Sequence, residues 1–307
     1  MKYIFFFLLF LSFFTNNLYS QANLLNARVP QDVGELNEAQ KKANNAEHLK
    51  YGYVDDRDVI WSKTVWELID LDERINYPLY YPTEKNILGE ERKSLFDVLV
   101  ENIYNENIKE IYYTPYFNDK MSLENVEERM NYVFIPDEAK TISNQVGDGP
   151  LPQEYYDLIE EYRMTAKYVQ EYHIKGTWYF DKRLGELKYR LLGIAPATID
   201  RADIPDFTMD PTCCKEGIAP LFWVWFPDAR EWLNKEKVFN SKNSSQPITY
   251  DHILNSRRFN SMIYREENLY EDRSIKDYIS EDALRMLLES ERIKSVIRDF
   301  EQDMWNN

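Results

Sequence analysis

Cysteine is almost missing from this 307-residue chain. There are two, Cys213 and Cys214, and they are neighbours. Adjacent Cα atoms, about 3.8 Å apart, are closer than a disulfide prefers, so two free thiols fit better than a vicinal bridge. A disulfide framework is excluded. Histidine is scarce too, with His48, His173 and His252 far apart in sequence. A zinc site with nitrogen and sulfur ligands is therefore not written here, any metal site would have to be all carboxylate, and no cofactor is expected. Only nine glycines are present. No Walker loop and no Gly-x-Gly-x-x-Gly occurs, because Gly147-Asp148-Gly149 stops short and Pro150 removes the next amide donor. Nucleophile-elbow, His-Glu-x-x-His and EF-hand patterns are absent as well.

Long apolar runs are confined to one place. Lys2 precedes an unbroken apolar stretch from Ile4 to Phe14, and Leu18-Tyr19-Ser20 precedes Gln21. This predicts a signal peptide over 1–20, cleaved after Ser20, with an uncleaved anchor as the alternative. No later run reaches 18 apolar residues, so the chain from residue 21 is expected to have no membrane span and no direct membrane insertion. No cysteine stands just after the leader, which excludes a lipid anchor there.

Positive charge is also in deficit. Lys and Arg number 37 against 53 acids, a net charge of −16 that becomes −17 when the leader and its one lysine are removed. Nucleic acid and anionic lipid are poor partners for such a surface. What the sequence does have is aromatic side chains, 15% of the chain, with 23 Tyr and 7 Trp. These fill cores, and they are also over-used in protein interfaces and sugar sites.

The pattern along the chain predicts an α+β fold. After a polar segment at 21–57, a solvated helix or an extended tail, a first α/β lobe covers 58–150. Val59-Ile60-Trp61 reads as a short strand, and Val65, Leu68 and Ile69 fall at helical spacing, so Thr64–Arg74 reads as a helix. The prolines make Asn76–Pro82 read as extended. Ser94 with Asp97 caps a second helix, followed by a strand at Ile111–Tyr113, a helix at Ser122–Met130 and a strand at Tyr132–Ile135. Residues 151–218 hold a central antiparallel hairpin, with strands near 168–180 and 187–194 about a turn at 181–186, and then an acidic loop. A second lobe, 219–307, has a strand at Ala219–Phe226, helices at Pro227 and at Thr249–Arg258, a strand at Met262–Tyr264 and a long C-terminal helix capped by Ser280. That helix carries two apolar stripes, one of Leu284, Leu287 and Leu288 and one of Ile293, Val296, Ile297, Phe300 and Met304. Trp61 to Asn76 and Trp225 to Asn240 are both 15 residues apart, which suggests that two related lobes flank the hairpin.

Chemistry is harder to find. A glycosidase needs two carboxylates about 5–9 Å apart, and clusters such as Asp55, Asp56 and Asp58, or Asp70, Asp72 and Glu73, offer them. With so many acids such clusters arise cheaply, and a solvated acidic face accounts for them equally well. No catalytic residue is assigned. The sharpest feature is Phe222–Phe226. Alternation puts Phe222, Val224 and Phe226 on one side and Trp223 and Trp225 on the other. Either the strand is buried on both sides or its Trp side meets a partner. Trp178, Tyr179, Trp223 and Trp225 are the candidate partner-interface residues.

Several blocks together resemble the GldN/PorN family of gliding-motility proteins. They are Asp58–Trp66, Ile69-Asp70, Asn76–Pro82, Ile174-Lys175, Trp178–Lys182, Arg190–Pro196 and Leu221–Pro227. The resemblance runs from about residue 58 into the C-terminal helix. The chain departs from it at Gly176-Thr177, where an acidic pair is expected, and at Leu184, where a small polar residue is expected. The resemblance implies a non-enzymatic structural subunit of the type IX secretion and gliding machinery, located in the periplasm. It also implies self-association in a ring, an outer-membrane lipoprotein partner of the GldK/PorK type, and contact with the periplasmic region of the inner-membrane motor protein GldM/PorM. The alternative left by composition is a periplasmic carbohydrate-binding or glycan-cleaving protein.

Overall fold

The computed structural model describes residues 48, 50–84, 92–146, 150–199, 217–240, 248–279 and 282–306. The expected leader, Cys213 and Cys214, most of the acidic loop and Ser280 lie outside them. The architecture is α+β, and residues 49–307 form one unit.

The first regular element corrects the sequence reading. Val59–Asp70 is a twelve-residue strand, β1, which begins with the expected Val59–Trp61 strand and replaces the expected helix from Thr64 onward. Its β-branched residues Val59, Ile60, Thr64, Val65 and Ile69 suit a pleated strand. At Val65–Glu67 it is buried on both faces, which erases the alternating signature there and leaves Val65, Leu68 and Ile69 at an accidental helical spacing. The next segment is corrected as well. A 3₁₀ turn at Arg74–Asn76 leads into a short helix, α1 (Tyr77–Tyr80), where Pro78 occupies the first turn and its missing N–H costs nothing. Only Tyr81, before cis-Pro82, is extended.

Later elements follow the sequence closely. Helix α2 (Leu95–Tyr104) is capped by Ser94, whose Oγ accepts the Asp97 N–H at 3.1 Å and donates to the Asp97 carboxylate at 2.8 Å. Strand β2 (Ile111–Tyr112) and helix α3 (Leu123–Met130), capped by Ser122, come next. A small ribbon pairs β3 (Asn131–Phe134) with a later strand across two helices, α4 (Asp137–Val146) and α5 (Gln153–Asp157), and that strand is β4 (Glu160–Arg163). The long hairpin is β5 (Glu171–Asp181) and β6 (Glu186–Ile199). Its turn is closed by Gly185 at φ +63° and by the Asp181 carboxylate, which accepts the Arg183 N–H at 3.0 Å. Leu184 is exposed on that turn.

The strand expected at Ala219–Phe226 is two strands, β7 (Ile218–Pro220) and β8 (Trp223–Trp225). Helix α6 (Phe226–Lys235) starts at Pro227 as expected. Strands β9 (Lys237–Val238) and β10 (Ile248–Thr249) pair, and Thr249 caps α7 (Tyr250–Asn255). Strand β11 (Met262–Glu266), the short α8 (Ile275–Tyr278) and the long α9 (Ala283–Asn306) complete the chain. Asp282 accepts the Arg285 N–H at 3.0 Å in the capping role expected of Ser280.

One antiparallel sheet runs β11-β1-β5-β6-β8-β2, with β7 also on β6. Strand β1 of the expected first lobe lies between β11 and β5, and β2 lies beside β8, so the strands of both lobes interleave in this sheet. The repeat also loses one matching element, because Thr64–Arg74 is not helical. Cross-strand register sets two rows of opposite facing. Glu67, Ile174, Ile194, Val224 and Ile111 form one. Arg265, Trp66, Lys175, Gly193 and Trp225 form the other. Helices α1, α2, α3, α6 and α7 pack on the Ile174 side, and α9 packs on the same side toward β11 through Ile293 and Ile297. The edge amide of Ile263 donates to buried Ser290 Oγ of α9 at 2.8 Å, and Trp61 stacks on Phe300 at 4.6 Å.

An acid sits in the apolar row. Glu67 is fully buried, and Arg257 reaches it with two parallel bonds of 3.0 and 2.6 Å. Ser261 also donates to this carboxylate. The guanidinium lies 4.2 Å from the Tyr189 ring centre, and that ring lies against Gly176, where an added Cβ would approach within 2.2 Å. The family departure at Gly176 is thus the space Tyr189 occupies. Asn76, also fully buried, donates to the carbonyls of Asp70 and Asn260 and accepts the Asn260 N–H. A second buried pair, Arg230 with Asp251 at 2.7 Å, carries Tyr51 on its face at 4.1 Å. Burial pushes the Tyr51 hydroxyl up to about 12, against the pull of Arg230.

Removing one partner of a buried bidentate pair leaves an uncompensated charge. Arg257→Ala should therefore lower unfolding stability by about 3–5 kcal/mol in a urea titration, and Glu67→Leu combined with Arg257→Met should restore most of the loss. An Arg257→Ala protein as stable as its parent would contradict this. Acid should act elsewhere. Arg183 holds the Asp181 carboxyl below the usual range, Ser274 does so for Asp277, Arg292 for Glu289 and Lys120 for Glu110. A carboxyl whose folded pKa is depressed stabilises above its unfolded value and loses that contribution as pH falls through the folded one. The melting temperature should stay level from pH 7 to about pH 5 and drop below about pH 4.

Candidate interaction surface

The four aromatic candidates do not form one patch. Trp223 is 1% exposed and packs with Trp66 and Ala195. It fills the interior of this chain and presents no face to a partner. Trp225 shares its side, half-buried, with the Phe117 ring edge-on at 4.8 Å. The expected alternation holds, since Phe222, Val224 and Phe226 enter the helix-covered core. Trp178 is half-buried on the opposite side of the sheet, 5.0 Å from Tyr189. Tyr179 is half-buried, and its hydroxyl accepts from Arg190, which also donates to the Gly52 carbonyl at 2.7 Å.

The Trp223 side of the sheet is closed by a loop. Residues 113–120 fold back so that Phe117, at φ +58°, lies on Gly193, where a Cβ would meet its ring at 2.5 Å. Lys175 Nζ sits 4.9 Å from the Trp66 ring centre, 5.2 Å from Tyr116 and 5.3 Å from Phe117, and donates to the Pro115 carbonyl at 2.9 Å. Burial lowers the pKa of this ammonium. The cation therefore ties the loop to the strand through rings and a carbonyl, a structural use of an aromatic cage.

Exposed apolar side chains lie where sequence reasoning did not place them. Ile75, Tyr77 and Tyr81 form one group, with Tyr81 edge-on to both Tyr77 and Tyr80. The Leu269–Tyr270 turn forms another, with Leu269 99% exposed. Leu284, Leu287 and Leu288 form a third on α9. At 100° per residue these leucines point away from Ser290, Ile293 and Ile297, which face the sheet. Tyr77 and Tyr81 of the first group fall in a block quoted for the family resemblance, and the third was legible as a leucine stripe. Its exposure was not legible, because the sequence does not say which of two stripes meets the sheet.

The chemistry of the described residues is sparse. The buried carboxylates Glu67, Asp181 and Asp251 are each held by an arginine. Among the described residues there is no group of three potential metal ligands and no helix long and apolar enough to cross a membrane. Of the candidate clusters, Asp58 pairs with Arg183, Asp55 pairs with Arg57, and Asp70 and Glu73 accept bonds within their own turn and from Asn260.

Buried and exposed aromatics should separate by mutation. Trp223→Ala should cost about 3–5 kcal/mol of unfolding free energy, as for other large-to-small core changes. Tyr81→Ser should stay within about 0.5–1 kcal/mol of the parent. Equal effects in denaturant melts would contradict the burial assigned to each.

No curated protein matches the chain. A family model described as gliding motility associated protein GldN matches residues 54–306, from just before β1 to the end of α9. That span covers the whole sheet and every helix packed on it, and the chain belongs to the GldN family.

Proposed function

We propose that this chain is a non-enzymatic structural subunit of the type IX secretion and gliding machinery. It works in the periplasm, exported by the leader over residues 1–20. It is held at the outer membrane by a lipoprotein of the GldK/PorK type, self-associates in a ring, and meets the periplasmic region of a GldM/PorM-type motor protein. The family match over residues 54–306 carries this reading. Three features support it. Residues 1–20 have the pattern of an export signal, and no cysteine stands just after them to take a lipid. The buried acids are neutralised by arginines and are not poised as an acid–base pair. Exposed apolar groups sit on ordered turns and helices, as anchors for partners do.

An affinity-tagged chain, expressed in its own bacterium and purified from solubilised envelopes, should bring down a lipoprotein and a motor component in fixed ratio. Deletion should abolish gliding and secretion together. A tagged chain recovered alone, with gliding and secretion intact in the deletion strain, would refute the proposal. So would release of new reducing ends from peptidoglycan by the pure protein, which would favour the glycan-cleaving alternative.

A further inference from the structure

The segment that leads into β1 crosses the β5–β6 hairpin and the end of α7 as a strap. Among the described residues no backbone–backbone hydrogen bond involves residues 50–54. Side chains hold them. Tyr51 is the anchor. Its hydroxyl donates to Asn255 Oδ1 at 2.8 Å, with the Leu191 carbonyl at 3.2 Å, and its ring packs against the helix-covered core. The Arg230 guanidinium lies 4.1 Å from the ring centre and that of Arg190 5.0 Å. Arg190 also donates to the Gly52 carbonyl at 2.7 Å, and Arg183 to the Tyr53 carbonyl at 3.1 Å. Beyond these grips the strap is open to solvent, with Gly52 exposed and Tyr53 80% exposed.

A bound peptide is held in the same way, by one aromatic anchor in a pocket and by donors that read its main-chain carbonyls. The parts of this seat have supports of their own. Arg230 is 4% exposed and fixed by the Asp251 carboxylate at 2.7 and 3.1 Å. The Asn255 amide donates to the Asp251 carbonyl at 2.9 Å and to its carboxylate at 2.8 Å, and Arg183 pairs with Asp58 and Asp181. None of these supports passes through the strap, so the seat is preformed. The family match begins at residue 54, so the residues of the seat fall inside the matched span and Tyr51 falls outside it.

We propose that this seat is a binding site for an extended, tyrosine-bearing peptide segment, and that residues 50–53 are a releasable strap that fills it in the free chain. The seat reads the phenol and the two carbonyls that follow it. It does not read the side chains after the tyrosine, because a Cβ added at Gly52 meets nothing within 4 Å and Tyr53 points into solvent. Phenylalanine is a poor substitute, since it would leave the Asn255 oxygen and the Leu191 carbonyl without their donor. The strap is joined to the body by a short connection and competes at an effective concentration on the order of 1 mM. A segment from a partner therefore displaces it when that partner is already held beside the chain, which couples release to assembly.

The test uses the chain from residue 21 to its end with Tyr51→Ala, which vacates the seat, and a fluorescent peptide of residues 50–56 as the probe. In an anisotropy titration the variant should bind the peptide with a Kd of about 100 µM or tighter. The parent should bind it about tenfold more weakly, because its own strap competes. A Tyr51→Phe peptide should bind the variant about tenfold more weakly than the tyrosine peptide, and a Tyr51→Ala peptide should not bind. If Tyr51→Ala unfolds the chain, Tyr51→Leu takes its place, since it keeps an apolar side chain on the core and loses both hydroxyl contacts. A folded variant that does not bind the peptide, a parent that binds it as tightly as the variant, or a substituted peptide that binds as well as the tyrosine peptide would each overturn the proposal. The proposed function is tested separately, by co-purification from envelopes, and stands or falls without the strap.

Discussion

The Glu67–Arg257 pair is the constraint on which the rest of this molecule turns. Glu67 stands in β1, between the edge strand β11 and β5, in a row whose other members are Ile174, Ile194, Val224 and Ile111. A carboxylate there is tolerable only with a charge-assisted partner, since desolvation of an unpaired ion costs several kcal/mol. Arg257 supplies it from the end of α7, in a left-handed conformation at φ +50° that turns the chain toward β11. The same guanidinium lies over Tyr189 of the hairpin and near Trp178 and Phe259. One side chain therefore joins β1, the β5–β6 hairpin and the α7–β11 turn, segments up to 190 residues apart.

Around that junction the two faces of the sheet are treated differently. Helices cover one face in two adjoining clusters, and their burial supplies most of the apolar core. The other face has a small cluster of Trp66, Ala195 and Trp223, closed by a loop that Lys175 holds down. Gly176 and Gly193 are the points of closest approach on opposite faces, one under Tyr189 and the other under Phe117. Aromatic side chains are thus divided between the interior and the surface. Two of the exposed groups, Tyr77 with Tyr81 and Leu269 with Tyr270, sit on segments pinned by side-chain bonds to the backbone, from Asn76 in one case and Asn268 in the other. Pinning matters for a binding surface, because a group already fixed loses less entropy when a partner arrives.

Much of this was legible in the sequence, and the exceptions have physical causes. The cap at Ser94 is local chemistry and was readable as such, and the helices that Ser122 and Thr249 cap were read as starting at those residues. The β5–β6 hairpin announced itself through apolar strands around a charged turn. Strand β1 announced itself only at Val59–Trp61, because burial on both faces at Val65–Glu67 removes period-two alternation. The helix at Tyr77–Tyr80 was hidden by Pro78, which forbids a helix interior but suits a first turn. The Phe222–Phe226 alternation was legible, yet the fate of its Trp side was not, since the loop that meets it lies about a hundred residues upstream. The burial of Glu67 was invisible for the same reason. The exposed knob at Leu269 had no sequence signal, because a single leucine between Asn268 and Tyr270 looks like any other loop residue.

In the role proposed for it, this protein meets its partners through small exposed groups on its rim, and not through the aromatic strand at its centre. Amide hydrogen exchange, compared between the free chain and the assembly purified from its own envelope, tests that claim most directly. The account predicts added protection in the assembly at residues 74–82 and 267–273, with β8 and β5 unchanged because they are already protected in the free chain. Added protection confined to residues 219–226, or none anywhere in the chain, would contradict it.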